Sequence, residues 1–250
     1  MLFRSGLAGV AFAVLWVSAA VRLPQFPLHG WLPPALEEGP LVGLNVYLVG
    51  LNLGAYALVR FVLPTLPEPA AAAWLPVTAL AFVGIVHGSV VALVQEDLRG
   101  AVAYAALPHS GFVLLGMFLL NEHGLEGALV QMVNLGLASS GLILVVGFLH
   151  LRAGSTRFAD LGGLLPRSPV LSAAFLVLLL TTLGMPGTAG YEGIHLVVRG
   201  TLDARHWLEV VPVGLGALLS AVVLLTAWVP GRAGVGGLVG PRNLRCEGRI

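Results

Sequence analysis

Long apolar segments alternate with short polar connections along most of this chain. A transmembrane helix needs about 20 predominantly apolar residues. Seven candidate segments run roughly over Gly6–Leu23, Leu41–Leu63, Ala72–Gln95, Ala101–Leu120, Leu125–Leu151, Pro169–Met185 and Val210–Val229. Because the connections are short, consecutive helices are expected to be antiparallel neighbours. The pattern predicts an all-α polytopic transmembrane helix bundle, with one transmembrane domain over residues 1–229 and a Gly/Arg-rich tail over residues 230–250.

Two of the predicted helices contain residues that interrupt helices. Pro108 lies within the fourth segment, and a proline inside a helix removes a backbone hydrogen bond and kinks the helix. Pro186 and four glycines fall within residues 183–193. Irregular backbone at membrane depth is tolerated where protein buries it or where it lines a wet cavity, and transporters place ion sites at such breaks. We therefore expect broken helices near Pro108 and Pro186.

Composition supports a membrane protein and excludes several kinds of chemistry. The chain is 57% hydrophobic and 10% charged, whereas soluble domains are about 25% charged. Continuous apolar runs argue against a membrane β-barrel, and a net charge of +1 gives no footprint for nucleic acid. The single cysteine, Cys246, cannot hold an iron–sulfur cluster, and no nucleotide-binding glycine motif follows a strand. We expect no catalytic residue, redox centre, metal or cofactor on this chain.

The basic residues predict an orientation, since positive charge is enriched in cytoplasmic loops. All 13 of them are arginine. If the N-terminus is outside, eight arginines are cytoplasmic, namely Arg99, Arg152, Arg157, Arg167, Arg232, Arg242, Arg245 and Arg249. Four would then be outside, namely Arg4, Arg60, Arg199 and Arg205. This count assumes that residues 169–199 cross the membrane once, and it predicts a cytoplasmic C-terminus.

Polar side chains inside the predicted spans are the candidate functional residues, because such groups are costly in a membrane and often mark ion pathways. Asn45 with Asn52, and Gln131 with Asn134, share helix faces. Each pair either lines a water path or hydrogen-bonds a neighbouring helix. These candidates are Arg22, Asn45, Asn52, His87, His109, Gln131, Asn134, Glu192 and His195.

Histidine titrates near neutral pH, so the histidines are candidates for proton transfer as well as for a structural role. We favour a functional role for His109, because the carbonyl freed by Pro108 needs a donor. Glu192 and His195 are three residues apart and can share a proton in a helix, or lie at the membrane interface. His29, with Glu37 and Glu38, is expected in a solvated surface cluster.

The segment PLHGWLPPALEEGP, residues 27–40, resembles the PLHxWLPDAxxxAP signature of the antiporter-like subunits of respiratory complex I, the NADH:quinone oxidoreductase. The likeness is closest to the M-type subunit. It continues in family order to about Gly193 through NLGAYALVRFVLP, ALVQEDLRGAVAYAALPHSGFVLLGMF, LEGALVQMVNLGL, LGGL and LGMPGTAGYEG. Related subunits occur in Mrp-type sodium/proton antiporters, membrane-bound hydrogenases and complexes linked to bicarbonate uptake.

The resemblance implies a fold and a setting. Family members hold two inverted repeats of five helices, each with a broken helix, and a polar axis crosses the middle of the membrane. They are about twice as long, so this chain is expected to cover mainly the second half-channel. The implied partners are other membrane-arm subunits, the lipid bilayer, and protons or Na⁺. The implied location is a bacterial cytoplasmic membrane.

The resemblance also assigns residues, with departures from the family pattern. Arg22 stands where the family has a lysine, and arginine keeps its proton in proteins. The second family lysine falls at Asn52 or Leu53, and a family histidine is Leu135. Other positions are matched by His29, Trp31, Pro33, Pro40, Arg99 and His109, while Pro34 and Ile194 replace acidic residues. The candidate proton pathway is Arg22, His29, Asn52, His87, His109, Asn134, Glu192 and His195.

Three functions remain open at this point. The chain is a membrane-arm subunit of a complex I-like enzyme that contributes to proton translocation, or it is a structural or assembly subunit that descends from the pump and no longer conducts. Alternatively, it belongs to an Mrp-type antiporter, a hydrogenase or a bicarbonate-linked complex. In each case the redox chemistry is expected on another subunit.

Overall fold

A computed structural model describes residues 2–160, 169–182 and 184–204. Helices dominate this part of the chain, and no strand forms in it beyond an isolated bridge between Asp97 and Arg157. The α-helices are α1 (Leu2–Arg22), α2 (Leu32–Glu38), α3 (Leu41–Gly50), α4 (Asn52–Ala57), α5 (Leu63–Thr65), α6 (Pro67–Ala72), α7 (Trp74–Leu93), α8 (Leu98–Phe118), α9 (Glu122–Ala153), α10 (Pro169–Thr182) and α11 (Ala189–Asp203). A π-helical turn, Leu58–Val62, joins α4 to α5, and Phe158–Asp160 form a 3₁₀ turn.

Four helical stretches are long and apolar enough to cross a membrane. They are Gly43–Thr65, which runs from α3 through α5, the whole of α7 and of α8, and Glu122–Arg152 within α9. Helices α1 and α10 are apolar but shorter. The first six predicted spans therefore each correspond to a helix or a run of helices. The seventh, Val210–Val229, and the tail over residues 230–250 lie outside the described residues.

Helix α8 forms the centre of the bundle. The most apolar stretch of α8 is 94% buried, whereas the most apolar stretch of Gly43–Thr65 is 33% buried. Glycines let α7 and α8 approach closely, since a Cβ at Gly111 would lie 2.5 Å from Ile85 Cγ1. The break expected at Pro108 is not found, because α8 continues through this residue. Pro108 is packed against α7 at Gly88, and such tertiary packing outweighs the one backbone hydrogen bond that proline removes.

The first broken span consists of α1, residues 23–31 and α2. Residues 23–31, the first break, lie against the middles of α7 and α8: the Gln25 side chain donates to the Ser110 carbonyl at 2.6 Å, and Phe26 faces Gly84. The first break is thus at mid-depth, and α1 and α2 together make one crossing. His29 is only 9% exposed and contacts His87, so the expectation of a solvated cluster around His29 is wrong, although Glu37 and Glu38 are exposed.

The second broken span consists of α10, residues 184–188 and α11. Gly184 and Gly187 have φ values of 66° and 92°, a left-handed conformation that glycine adopts without strain. The predicted break near Pro186 is confirmed, but regular helix resumes at Ala189 with Thr188 as its N-cap. Described residues of this second break lie level with the middle of α9, since α11 packs on that helix from Gly190 onward. Helices α10 and α11 together therefore make one crossing.

The two ends of the bundle are joined by polar contacts. At the Asp97 end, the Thr156 hydroxyl donates to the Asp97 carboxylate at 2.6 Å. At the Asn121 end, the Asn121 side-chain amide donates to the Gly200 carbonyl at 2.7 Å. These contacts connect the α7–α8 turn to the chain after α9, and the α8–α9 turn to α11. They fix the crossings around α8, where the buried polar residues lie.

Candidate functional site

A buried histidine and a buried amide meet in the centre of the bundle. His109 on α8 is 2% exposed and Gln131 on α9 is fully buried. The Gln131 side-chain amide donates to His109 Nδ1 at 2.6 Å, which leaves the ring proton on Nε2. Asn134 lies one helical turn after Gln131 and is also buried. We call His109, Gln131 and Asn134 the central polar cluster.

Several hydrogen-bonding atoms of this cluster have no protein partner. They are His109 Nε2, Gln131 Oε1 and both side-chain polar atoms of Asn134. Buried polar groups are nearly always hydrogen-bonded to protein or to ordered water. A buried water typically makes about three hydrogen bonds to such groups. The cluster thus offers the donors and acceptors that a chain of bound water molecules requires.

The first break connects to the central polar cluster through α8. The Ser110 hydroxyl donates to the Pro24 carbonyl at 2.9 Å, and Gln25 donates to the Ser110 carbonyl. Ser110 directly follows His109 in the chain. Sequence reasoning missed Gln25 and Ser110. The available signal was a single amide between the prolines of LPQFP, which is uncommon in a buried segment unless it is paired.

A second pair of histidines lies beside the first break. The rings of His29 and His87 are 5.1 Å apart, and Phe26 contacts both, at 5.8 Å and 5.4 Å respectively. His29 Nδ1 is buried without a partner. His87 precedes Gly88, where α7 packs on Leu107 and Pro108. The structure thus brings His29 and His87 together, and α7 holds them next to the helix that carries His109.

Arg22 and Asn52 flank this region at the junction of α1, α3 and α4. The Arg22 guanidinium lies over the Tyr47 ring at 5.2 Å, and its Nε donates to the Gly50 carbonyl at 3.4 Å. In the described part of the chain no carboxylate lies within ion-pair distance of Arg22. The Asn52 amide donates to the Met132 carbonyl at 2.8 Å, while Asn52 Oδ1 is unpartnered. Asn52 therefore reaches α9 beside the cluster.

Glu192 and His195 point away from the central polar cluster. Both side chains are exposed, and the His195 ring stacks on Tyr191 at 5.7 Å. The face of α11 that meets α9 consists instead of small residues, since a Cβ at Gly193 would lie 2.5 Å from Gln131 Oε1. The two residues share one face, as their spacing predicts, but that face is the outer one. Their part in a proton pathway stays a prediction.

Known proteins match this chain along nearly all of its length. A family model described as NADH:quinone oxidoreductase/Mrp antiporter, transmembrane, matches residues 1–220. The chain belongs to this family. NADH-quinone oxidoreductase subunit M of Rhodobacter capsulatus is 35% identical over 94% of the chain and 45% of its own length. The subunit M of Mycobacterium tuberculosis is 32% identical over 89% of this chain and 39% of its own length. The chain spans about half the length of the curated relatives it matches.

Two solved structures share the fold of this chain. A chain of respiratory complex I from Thermus thermophilus matches with a TM-score of 0.85 and 32% identity, over 90% of this chain and 48% of that one. A chain of the Mrp complex from Dietzia sp. matches with a TM-score of 0.84 and 20% identity, over 88% of this chain and 41% of that one. The second likeness shows the fold alone. The integral membrane nature of the chain follows from the family and from its apolar helices.

Within this antiporter-like fold, the described residues bring together a buried histidine and buried amides, which are groups that can exchange protons with water. A neutral imidazole accepts a proton at one ring nitrogen and releases one from the other. In the described residues no group of three or more His, Cys, Asp or Glu side chains is close enough to hold a metal ion. The expectation that this chain carries no metal or cofactor stays a prediction.

Proposed function

We propose that this chain is a membrane-arm subunit of a complex I-like NADH:quinone oxidoreductase, and that the central polar cluster forms part of a proton pathway. The observation that carries the proposal is the buried contact between His109 and Gln131, with unpartnered polar atoms on both residues and on Asn134. The names of the relatives support the complex, and the buried cluster supports the proton pathway. The partners proposed are other membrane-arm subunits, and the ion proposed is the proton.

In this pathway His109 receives and releases protons, while the amides orient the water that delivers them. Gln131 fixes the imidazole ring through Nδ1, so that Nε2, which has no protein partner, exchanges a proton with bound water. His29 and His87 extend the pathway toward the Asp97 end along the first break. Arg22 does not carry protons, because arginine stays charged. The fixed positive charge of Arg22 instead makes it less favourable for a second protonated group to form in the centre of the bundle.

The proposed membrane is the bacterial cytoplasmic membrane, since the relatives named above are bacterial. We propose that the Asp97 end faces the cytoplasm. Arg99, Arg152 and Arg157 belong to that end, whereas Arg60 and Arg199 belong to the Asn121 end, and positive charge favours the cytoplasmic side. The N-terminus would then be outside. Labelling of Glu96→Cys in a Cys246→Ser background with a membrane-impermeant reagent, in intact and opened cells, decides the sidedness, because Glu96 is exposed at the Asp97 end.

Proton flux in the reconstituted complex tests the pathway. The complex containing His109→Gln is placed in vesicles with a pH-sensitive dye, because glutamine keeps a hydrogen-bonding group at this position but does not titrate. We expect proton flux to fall by about 100-fold while quinone reduction continues, since a positioned acid–base group contributes on the order of 10²–10⁴ to a proton-transfer step.

The matched control is His123→Gln at the Asn121 end, where His123 Nδ1 lies 2.7 Å from the Asp203 carboxylate. This half-exposed histidine lies outside the central polar cluster, so we expect flux to be unchanged. Equal flux in the His109→Gln complex and the wild type would remove His109 from the pathway.

A structural subunit that does not conduct is the second candidate. It is favoured by the absence of any carboxylate from the central polar cluster among the described residues, with Glu192 on the outer face of α11. This alternative predicts that deleting the chain prevents assembly of the complex, whereas His109→Gln leaves proton flux intact. The same vesicle measurement therefore separates the two functions.

A further inference from the structure

The outer face of α11 carries an ionisable group at the depth of the bilayer centre. Gly193 lies against Gln131, and Gln131 contacts His109 near the middle of α8. Glu192 is adjacent to Gly193, so its carboxylate is level with the centre of the bundle. The Glu192 side chain is nonetheless exposed. His195 lies one turn closer to the Asn121 end on the same face and is exposed as well.

This exposure is unfavourable if lipid surrounds α11. Charged side chains are expensive at the bilayer centre, and they normally face the bundle interior or pair with one another. Among the described residues no cation lies within ion-pair distance of Glu192. By contrast, α9 exposes apolar side chains at the same depth, such as Val133 and Leu137. That face suits lipid, whereas the outer face of α11 does not.

We propose that Tyr191, Glu192 and His195 form a docking face for a transmembrane helix of another subunit, which presents a cationic side chain to Glu192. The charges along the outer face of α11 support this occupant. The acidic Glu192 lies at mid-depth, and the basic Arg199 lies on the same face near the Asn121 end of the bundle. A helix with a lysine or arginine opposite Glu192 compensates the carboxylate. The inference rests on the proposed membership of a multi-subunit membrane complex, and it does not depend on proton conduction.

A nitroxide label tests whether protein covers this face. The label is attached to Tyr191→Cys in a Cys246→Ser background, which retains Glu192, and the complex is studied in lipid nanodiscs. We expect collisions with dissolved oxygen, which partitions into lipid, to be about fivefold rarer than at Val133→Cys, since interface cores are packed like protein interiors. In the purified chain without partners, both sites should be equally accessible. Equal accessibility in the complex would mean that lipid covers the face, and would overturn the proposal.

Charge substitutions test the cation. We expect Glu192→Lys to reduce the fraction of tagged chain in the assembled complex by about tenfold or more, and Glu192→Gln to reduce it less, because like charges repel and an unpaired buried charge is costly. The control is Glu126→Lys, an exposed position on the opposite face of α9, which should assemble normally. The amount of chain in the membrane is measured for each variant, and Glu192→Gln carries the test if the lysine variant fails to insert.

Two outcomes contradict the cationic partner. Normal assembly of Glu192→Gln, and of Glu192→Lys where it inserts, would show that no cation faces this residue. Cross-linking of Tyr191→Cys to a second copy of the same chain would identify the occupant as this protein itself, with Glu192 beside the other copy's histidine. Either result would overturn the proposal while leaving the proton-flux experiment unaffected.

Discussion

Side chains stabilise the first break, whereas glycines and close backbone contacts stabilise the second. Gln25 and Ser110 exchange hydrogen bonds with the backbone of α8 and of the first break. At the second break, Gly190 and Gly193 place the start of α11 directly on α9 and on the end of α10. Irregular backbone at membrane depth is therefore stabilised in either of two ways. Polar groups are paired by side chains, or side chains are removed so that helices can close over the break.

The two breaks also differ in where they place ionisable groups. The first holds His29 and His87 between helices, and the half-buried Arg22 directly precedes it in the chain. The second places Glu192 and His195 on the outside. The first break can therefore take part in a pathway within this chain, whereas the second presents its ionisable groups to whatever lies next to α11. Three substitutions compare how strongly the contacts of each broken span stabilise the protein.

The largest effect is expected at the second break. In Gly190→Ala, the new Cβ would overlap the carbonyl oxygen of Thr181, which is backbone and cannot rotate away. We expect the free energy of unfolding to fall by about 2–3 kcal/mol, as for other overpacked sites. Thermal unfolding of the purified protein in detergent measures it. Gly30→Ala is the matched control in the first break, because a Cβ there meets nothing within 4 Å, and it should leave stability unchanged. Equal stability of the two variants would contradict the proposed role of glycine.

A smaller effect is expected at the first break. Gln25→Ala removes the donor to the Ser110 carbonyl from a side chain that is 1% exposed. We expect a loss of about 1–2 kcal/mol, the usual range for a buried hydrogen bond together with the unsatisfied group left behind. Gln95→Ala is the control, because that amide, just after the end of α7, donates to the nearby Val91 carbonyl at a half-buried position, and its effect should stay below about 0.5 kcal/mol. If Gln95→Ala lowered the free energy of unfolding as much as Gln25→Ala, the first break would not depend on Gln25.

The smallest effect is expected where α11 ends. His123 Nδ1 lies 2.7 Å from the Asp203 carboxylate, and both side chains are substantially exposed, at 36% and 50%. Exposed ion pairs contribute about 0.2–1 kcal/mol, so Asp203→Asn should lower stability by about 0.5 kcal/mol. Glu96→Gln removes a still more exposed pair, with Arg157 at 3.3 Å, and should cost less. Chemical denaturation of both variants compares them, and a loss above about 2 kcal/mol in Asp203→Asn would mean that this contact anchors the second broken span.

Hydropathy predicted most of the helices, because continuous apolar runs of membrane length are typical of spans. It did not predict that α1 and α2 share one crossing. The apolar run ending at Leu23 is long enough to be read as a complete span, and only contacts from Gln25 and Phe26 to the middles of α8 and α7 reveal the depth of the first break. The same limit applies at Pro108, where packing against Gly88 keeps α8 helical.

The candidate site was predictable in part. The spacing of Gln131 and Asn134 predicted a shared face, and both residues are buried on it. The spacing of Glu192 and His195 also predicted a shared face, but periodicity does not say which face turns inward. A usable signal was present, because Gly190, Gly193, Gly200 and Thr201 place small residues on one face of α11, which is typical of a helix–helix contact in membranes. Giving that face priority over the charged pair would have placed Glu192 outside.

The almost complete burial of α8 has a consequence for how the protein is made. A helix with Pro108, His109 and Ser110 at its centre offers lipid a poor surface, and these residues find their contacts on α7, the first break and α9. During synthesis, α8 emerges after the first break and α7 but before α9. We therefore expect α8 to leave the insertion machinery as a hairpin with α7. It should become stably embedded only after α9, the helix that carries Gln131, has been made.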